Sequence, residues 1–337
     1  MAKRIGLMGC GTVAGYGHLP ALDQCPDLEL YSLYDPDEDN LRRQQERFGL
    51  ANAFTDVDQF FASGIDAVSI TSPAPCHLQN VIDAAKHGKH VLCEKPLAMT
   101  EAESQEMIDT AARAGIMLFT AFVARFNPVS KQIRSLVRDG AIGEVRSLRL
   151  IYIWNCHGMY ETGPDGQPII QARRAGRMLE GGPLVDCGVH DIDLARWWLG
   201  SEVAKWTATG AWVEDYEAPD HIYLHMDHDN GAHTMVEISY TFTHTAADPI
   251  YHLTYHLIGT EGLIRHEMEN NLLEVRNSTG TQQLECTGAK NFDDMYAAFA
   301  RALEKGSSDE LPTGEDGLEA TRIARTATEE AIARRRS

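Results

Sequence analysis

Arg4-Ile5-Gly6-Leu7-Met8-Gly9-Cys10-Gly11-Thr12-Val13-Ala14 carries an apolar strand, Arg4–Met8, straight into a G-x-G-x-x-A turn, and Thr12–Gln24 beyond it has helical periodicity. That order of elements suits a pyrophosphate. The glycines permit a tight turn and close backbone approach, and the negative charge rests on a helix N-terminus whose N–H groups lack intrahelical partners. The next apolar run, Leu28–Tyr34, ends on Asp35. A carboxylate there accepts hydrogen bonds from the adenosine ribose hydroxyls and repels a 2′-phosphate. Asp37, Glu38 and Asp39 add negative charge behind it, so NAD is expected in preference to NADP. Gly9, Gly11, Thr12, Val13 and Asp35 are the expected cofactor contacts from this stretch.

Outward from the turn, short apolar runs alternate with helical segments. Ala51–Phe54, Ile65–Thr71, His90–Cys93 and Ile116–Thr120 read as further strands, the first of them weaker; Asp39–Phe48, Cys76–His87 and Thr100–Ala114 read as helices. Strict β/α alternation implies a parallel sheet with right-handed crossovers, a doubly wound Rossmann domain over residues 1–122. The texture then changes. Asn127–Asp139 reads as an amphipathic helix, Glu144–Trp154 as a long strand and Pro183–Leu199 as a helix opened by Gly181-Gly182. From Lys205 to about Val275 the period is 2, with turns such as Asp229-Asn230-Gly231, and helices around Phe292–Lys305 and Gly314–Arg334 close the chain. The expected fold class is α/β: the Rossmann domain, then an α+β domain over 123–337 with an open, mostly antiparallel sheet. The final helices are candidates to pack back on the first domain.

Composition narrows the function classes. With 337 residues, 43% hydrophobic and 23% charged, the chain has room for two globular cores. Thirty Lys+Arg against 49 Asp+Glu give a formal net charge of −19, which repels nucleic acid and anionic lipid. The start, Met1-Ala2-Lys3-Arg4, leads directly into the first strand, which argues against a signal peptide. Seven cysteines, an odd number without a C-x-x-C pair, suit a reducing compartment. A cytoplasmic location is expected.

Further polar signals stand at strand ends, where doubly wound sheets bind ligands. Thr71-Ser72-Pro73 is followed by His77, and Val91-Leu92-Cys93 by Glu94-Lys95-Pro96. On the helix opened by Gly181-Gly182, Asp186 and His190 stand four apart and share a face. A histidine with a carboxylate one turn away is either an oriented acid/base or a structural hydrogen bond.

Together these residues resemble the glucose–fructose oxidoreductase/inositol dehydrogenase (Gfo/Idh/MocA) family over nearly the whole chain. The likeness runs through G-x-G-x-x-A, Ser72-Pro73…His77, Gly88-Lys89-His90-Val91-Leu92-Cys93-Glu94-Lys95-Pro96-Leu97, Arg125-Phe126-Asn127-Pro128, Asp186…His190, Gly259-Thr260-Glu261-Gly262 and Gly314-Glu315-Asp316-Gly317. The resemblance implies that Lys95 binds the reacting hydroxyl or carbonyl oxygen, that His190 is the acid/base and that Asp186 is its partner. It implies cofactor contacts at Ser72, Pro73, His77, Glu94, Lys95 and Arg125, with Arg125 also at the join with substrate. Lys95 and His190 are both candidates for the immediate proton acceptor. The activity implied is NAD-dependent hydride transfer at a hydroxyl of a sugar, cyclitol or polyol. Two alternatives are an NAD-retaining enzyme that cleaves glycosides by oxidation, elimination and reduction, and a non-catalytic nucleotide sensor. Intact Lys95, Asp186 and His190 argue against the sensor. The family's second-domain sheet is commonly covered by another subunit, so a homodimer or homotetramer is expected.

Two features have no family role. Asn155–Met178, with His157, Tyr160, Arg173, Arg174 and Arg177, reads as a long polar loop, either a substrate lid or a solvated surface; His157 and Arg173 are its candidate substrate contacts. Among 14 histidines, His221, His225, His244, His252, His256 and His266 crowd the sheet region, and His221, His225 and Asp227 share a strand face. No metal-ligand spacing such as H-E-x-x-H appears, so no metal is expected.

Overall fold

In the computed structural model, which describes residues 2–154, 161–162, 168–169, 172–241, 250–286, 288 and 290–336, the chain forms two compact units, each with its own sheet. The first unit is Met1–Phe126 together with Lys290–Thr321, and the second is Asn127–Ala289 with Arg322–Ser337. The sequence reading placed a single cut near residue 122.

The first unit is built on six parallel strands: β1 (Lys3–Met8), β2 (Leu28–Tyr34), β3 (Asn52–Phe54), β4 (Ala67–Ile70), β5 (His90–Cys93) and β6 (Leu118–Thr120). Their spatial order is β3-β2-β1-β4-β5-β6. The order reverses between β1 and β4, the switch point at which such sheets open a crevice. Apolar residues cover both faces, as a fully buried parallel sheet requires. Ile5 and Leu7 face a core with Leu19, Leu22, Met295 and Phe299, while Met8, Val68 and Ile70 face one with Phe60, Val81 and Met107. The helix Phe292–Lys305 therefore supplies part of a core whose other members come from the first 126 residues. The return is pinned by the backbone, with Thr120 N–H donating to Pro312 O at 2.9 Å.

The helix expected over Thr12–Gln24 is helical from end to end, but its turn Ala14–His18 is widened before ordinary α-helix resumes over Leu19–Gln24. Pro20 accounts for the difference. It has no N–H to give the preceding turn, and its ring crowds the carbonyl four residues back, which a widened turn relieves.

The second unit carries an eight-stranded mixed sheet. Its strands are β7 (Val145–Ile153), β10 (Val203–Ala211), β11 (His221–His228), β12 (His233–Ser239), β13 (His252–Gly259), β14 (Gly262–Glu267), β15 (Leu272–Asn277) and β16 (Gly280–Gln283); β8 (Glu161–Thr162) and β9 (Pro168–Ile169) form a separate small pair. The order is β10-β11-β12-β7-β13-β14-β15-β16. Every pairing is antiparallel except β12 with β7. Ile222, Leu224, Met226, Val236, Ile238 and Leu150 are buried on one face, where the Trp198 ring of helix Val189–Leu199 meets Tyr255 edge-on at 5.2 Å.

The stretch read as a loop up to Met178 contains a helix, Ala172–Leu179. Its sequence, Ala172-Arg173-Arg174-Ala175-Gly176-Arg177-Met178-Leu179, consists of good helix formers apart from Gly176. The three arginines made it look like polar loop. No helix among the described residues is long and apolar enough to cross a membrane.

Candidate active site

Gly9 sits directly after β1 at the switch point with φ +97°, and a Cβ there would lie 2.5 Å from Ser72 N. Only glycine fits. Gly11, by contrast, has nothing within 4 Å of its would-be Cβ. Thr12 is exposed and Val13 half-exposed at the start of the helical segment. A backbone turn with open space before a helix N-terminus is the cradle a pyrophosphate fills.

Asp35, just past β2, is 7% exposed. Its Oδ2 accepts the Cys10 N–H at 2.7 Å and its Oδ1 the Asp37 N–H at 2.9 Å. Two backbone donors thus fix the carboxylate beside the glycine turn, leaving its remaining lone pairs for ribose hydroxyls. Burial, with Asp35 next to it, pushes the Cys10 thiol up to about 12, so it stays protonated. Arg43 acts on the same thiol in the opposite sense, which places a guanidinium nearby. Neutralising Asp35 should therefore do more than remove ribose contacts. Asp35→Asn is expected to weaken NAD binding by about 10–100-fold, the loss of one or two charge-assisted hydrogen bonds, and to shift cofactor selectivity towards NADP. The ratio of kcat/KM for the two cofactors measures it; an unchanged ratio would remove Asp35 from the cofactor site.

Beyond β4, Ser72 Oγ donates to Asn80 Oδ1 at 2.7 Å, and Pro73 is exposed. His77 is buried, with Nε2 2.9 Å from Ser72 O and Nδ1 3.1 Å from both Pro96 O and Leu97 O. Burial pushes its imidazole below the ordinary value. Both ring nitrogens therefore meet backbone, and the ring ties the segment after β4 to the turn after β5. That second turn is Glu94-Lys95-Pro96, with Lys95 half-buried. Arg125, 8% exposed, places Nη2 3.1 Å from Asp316 Oδ1, and Asp316 Oδ2 accepts the Thr313 N–H at 3.0 Å. Gly317 lets this helix start pack tightly, since a Cβ there would lie 2.2 Å from Thr120 Oγ1. The Gly314-Glu315-Asp316-Gly317 signature thus supplies the partner that orients Arg125.

In the second unit Asp186 lies in another wide turn, Leu184–Gly188, and His190 in the first turn of the helix that follows. The two are 6% and 9% exposed. Asp186 Oδ2 accepts the Tyr240 hydroxyl at 2.5 Å and lies 3.6 Å from Cys187 Sγ, while Oδ1 lies 3.7 Å from Arg177 Nε. Burial works against the Arg177 charge, but Asp186 and Glu180 outweigh it and hold the guanidinium above its ordinary value. Burial pushes the neighbouring Asp191 carboxyl up to about 7. Tyr240 is fully buried and meets Trp154 edge-on at 5.8 Å; Trp154 stacks on Tyr152. Sequence reasoning did not name Tyr240, which extends the line of β12 beyond Ser239.

His157 and Tyr160 lie outside the described residues, and Arg173 lies on helix Ala172–Leu179. On β11, Asp227 accepts from His233 Nδ1 at 2.7 Å, and His233 Nε2 is 3.2 Å from His225 Nδ1. Among the described residues no group of three or more His, Cys, Asp or Glu side chains is placed to hold a metal ion.

Residues 3–122 match the family described as "Oxidoreductase family, NAD-binding Rossmann fold", and residues 130–265 match "GFO/IDH/MocA C-terminal domain". The myo-inositol 2-dehydrogenase of Thermotoga maritima is 34% identical over 215 residues, 64% of this chain and 60% of that protein. The rhizopine catabolism protein MocA of Rhizobium meliloti is 30% identical over 246 residues, 71% of this chain and 72% of its own. The crystal structure of an oxidoreductase domain protein from Kribbella flavida superposes with a TM-score of 0.85 at 24% identity, covering 99% of this chain and 98% of the other. That likeness is one of fold.

Proposed function

Because the chain belongs to the Gfo/Idh/MocA family of NAD-dependent oxidoreductases, we propose that it oxidises, reversibly, a hydroxyl of a sugar, cyclitol or related polyol. The observation that carries the proposal is Lys95, half-buried on the turn that ends β5, in the same sheet whose switch point holds the glycine turn and the anchored Asp35. The matched dehydrogenase of Thermotoga maritima is named for a cyclitol, which supports this substrate class.

Gly9, Gly11, Thr12, Val13 and Asp35 would hold the adenosine and diphosphate portion, with Ser72, Pro73, Glu94 and Arg125 further along the same edge. When bound, NAD supplies the acceptor for the hydride that leaves the alcohol carbon. Lys95 binds the alcohol oxygen and stabilises the negative charge that grows there. His190 takes the hydroxyl proton, and Asp186, kept in place by Tyr240 and Arg177, hydrogen-bonds the substrate. His77 acts from behind, tying the Lys95 turn to the end of β4.

Absorbance at 340 nm, with NAD and a panel of inositols, aldoses, glucosides and anhydrosugars, tests the proposal. NADH formation with at least one compound is expected. No turnover with any of them, alongside tight NAD binding, would overturn it.

A further inference from the structure

Behind the turn that carries Lys95 runs a series of four polar side chains that the proposed chemistry does not engage as acid, base or substrate ligand. Ser69, His18 and Tyr296 are fully buried and Glu94 is 6% exposed. Ser69 Oγ stands 2.7 Å from the Tyr296 hydroxyl, and that hydroxyl stands 2.6 Å from His18 Nδ1. His18 Nε2 is 2.8 Å from Glu94 Oε1, and Glu94 Oε2 accepts the backbone N–H of Lys95 at 3.1 Å. One arrangement of protons satisfies the whole series. Ser69 donates to Tyr296, Tyr296 to His18 Nδ1, and the His18 Nε2–H to Glu94.

The four residues come from separate elements: the wide turn Ala14–His18, β4, the end of β5, and helix Phe292–Lys305. Packing holds the imidazole where it is. The Phe292 ring meets it edge-on at 4.9 Å, and a Cβ on Gly17 would come within 2.6 Å of that same ring. Burying polar groups is costly unless each is paired, and completeness is what makes such a series rigid. Here the rigid end is bonded to the backbone of Lys95.

We propose that His18 is a positioning residue, which through Glu94 holds the Lys95 backbone, and with it the ammonium group, in working orientation. The proposal rests on the reading of Lys95 as the group that binds the reacting oxygen. Being fully buried, His18 acts only through Glu94.

Two substitutions separate positioning from simple packing. In His18→Gln the side-chain amide nitrogen reaches about where Nε2 was and still donates to Glu94. In His18→Asn the amide reaches only the Nδ1 position, so the tie to Glu94 is lost. His18→Asn is expected to lower kcat by about 10–100-fold, the cost of a small misplacement, with KM and the calorimetric Kd for NAD changed less than about threefold. His18→Gln should recover most of kcat although its Tm falls as far as that of His18→Asn. In a Lys95→Ala background His18→Asn should cost almost nothing more. Equal losses in the two variants, kcat values that follow Tm, or effects that multiply with Lys95→Ala would each overturn the proposal. The wild-type chain gives a readout independent of turnover. Nitrogen-15 NMR of labelled histidine should show His18 protonated on Nε2 and accepting on Nδ1, and the opposite tautomer would break the link to Glu94. A wild type with that tautomer and no dehydrogenase activity would instead sink the reading of Lys95.

Discussion

Lys95→Ala is expected to lower kcat by about 10³-fold, from the middle of the range in which single acid–base and oxyanion-stabilising groups contribute. The Kd for NAD should move less than about threefold. The asymmetry follows from location. The groups that fix Asp35 beside the glycine turn are backbone donors just after β1 and after β2, and neither depends on the Lys95 side chain. What the alanine removes is the cation beside an oxygen that becomes negative only as the carbon–hydrogen bond breaks. That interaction is stronger in the transition state than in the ground state, so the loss falls on kcat more than on KM. Lys95→Arg should restore little, because a planar guanidinium on a longer stem cannot occupy the place of a compact ammonium. Stopped-flow hydride transfer and calorimetric NAD titration on the same preparations decide the matter. An alanine variant that turns over at the wild-type rate would strip Lys95 of the role.

How much of this could be read from residues alone differs by kind of signal. Local periodicity carried the first sheet: β2 and β5 were read as Leu28–Tyr34 and His90–Cys93, the bounds the structure has. The short helix Val57–Ala62 went unread, although Asp56 caps it by accepting the Gln59 N–H at 2.8 Å; an Asp three residues before a Gln was the available signal. Partnerships across the sequence were out of reach. Tyr296 meets His18 across 278 positions, and Tyr240 meets Asp186 across 54. Neither residue sits in a motif, and no rule of spacing predicts a contact that exists only once a closing helix has returned to the first sheet. The Asp186…His190 spacing was legible as a shared helical face, but the helix is widened over Leu184–Gly188, and Asp186 holds the Tyr240 hydroxyl and faces Arg177. Residue type and position were visible early, whereas the surroundings that assign each group its task were not.

Those surroundings decide which group in the second unit should carry the proton, and His190→Ala is expected to lower kcat for alcohol oxidation by about 10²–10⁴-fold. Asp186 is the poorer base on geometric grounds. One oxygen already holds the Tyr240 hydroxyl and the other faces a guanidinium, so taking a proton there would neutralise the carboxylate and leave Arg177 facing a neutral group. Asp191 is the other carboxyl at hand, and burial, which penalises its charged form, pushes it up to about 7. The residue is 3% exposed against 9% for His190, which gives it the lesser access to a substrate hydroxyl. An imidazole, 9% exposed, can take the proton on a ring nitrogen and leave the Asp186–Arg177 pair charged. The expected signature goes beyond a slow enzyme. A base on the enzyme makes the wild-type oxidation rate rise with pH to a plateau, and in His190→Ala that limb should vanish. The residual rate should then climb in proportion to hydroxide, because solvent must take the proton unaided. The NAD affinity should stay within about threefold of wild type, since His190 belongs to the unit without the glycine turn. A variant that is slow yet keeps the wild-type pH limb would move the base elsewhere, with Lys95 next in line, because its amine can lose a proton where an arginine cannot.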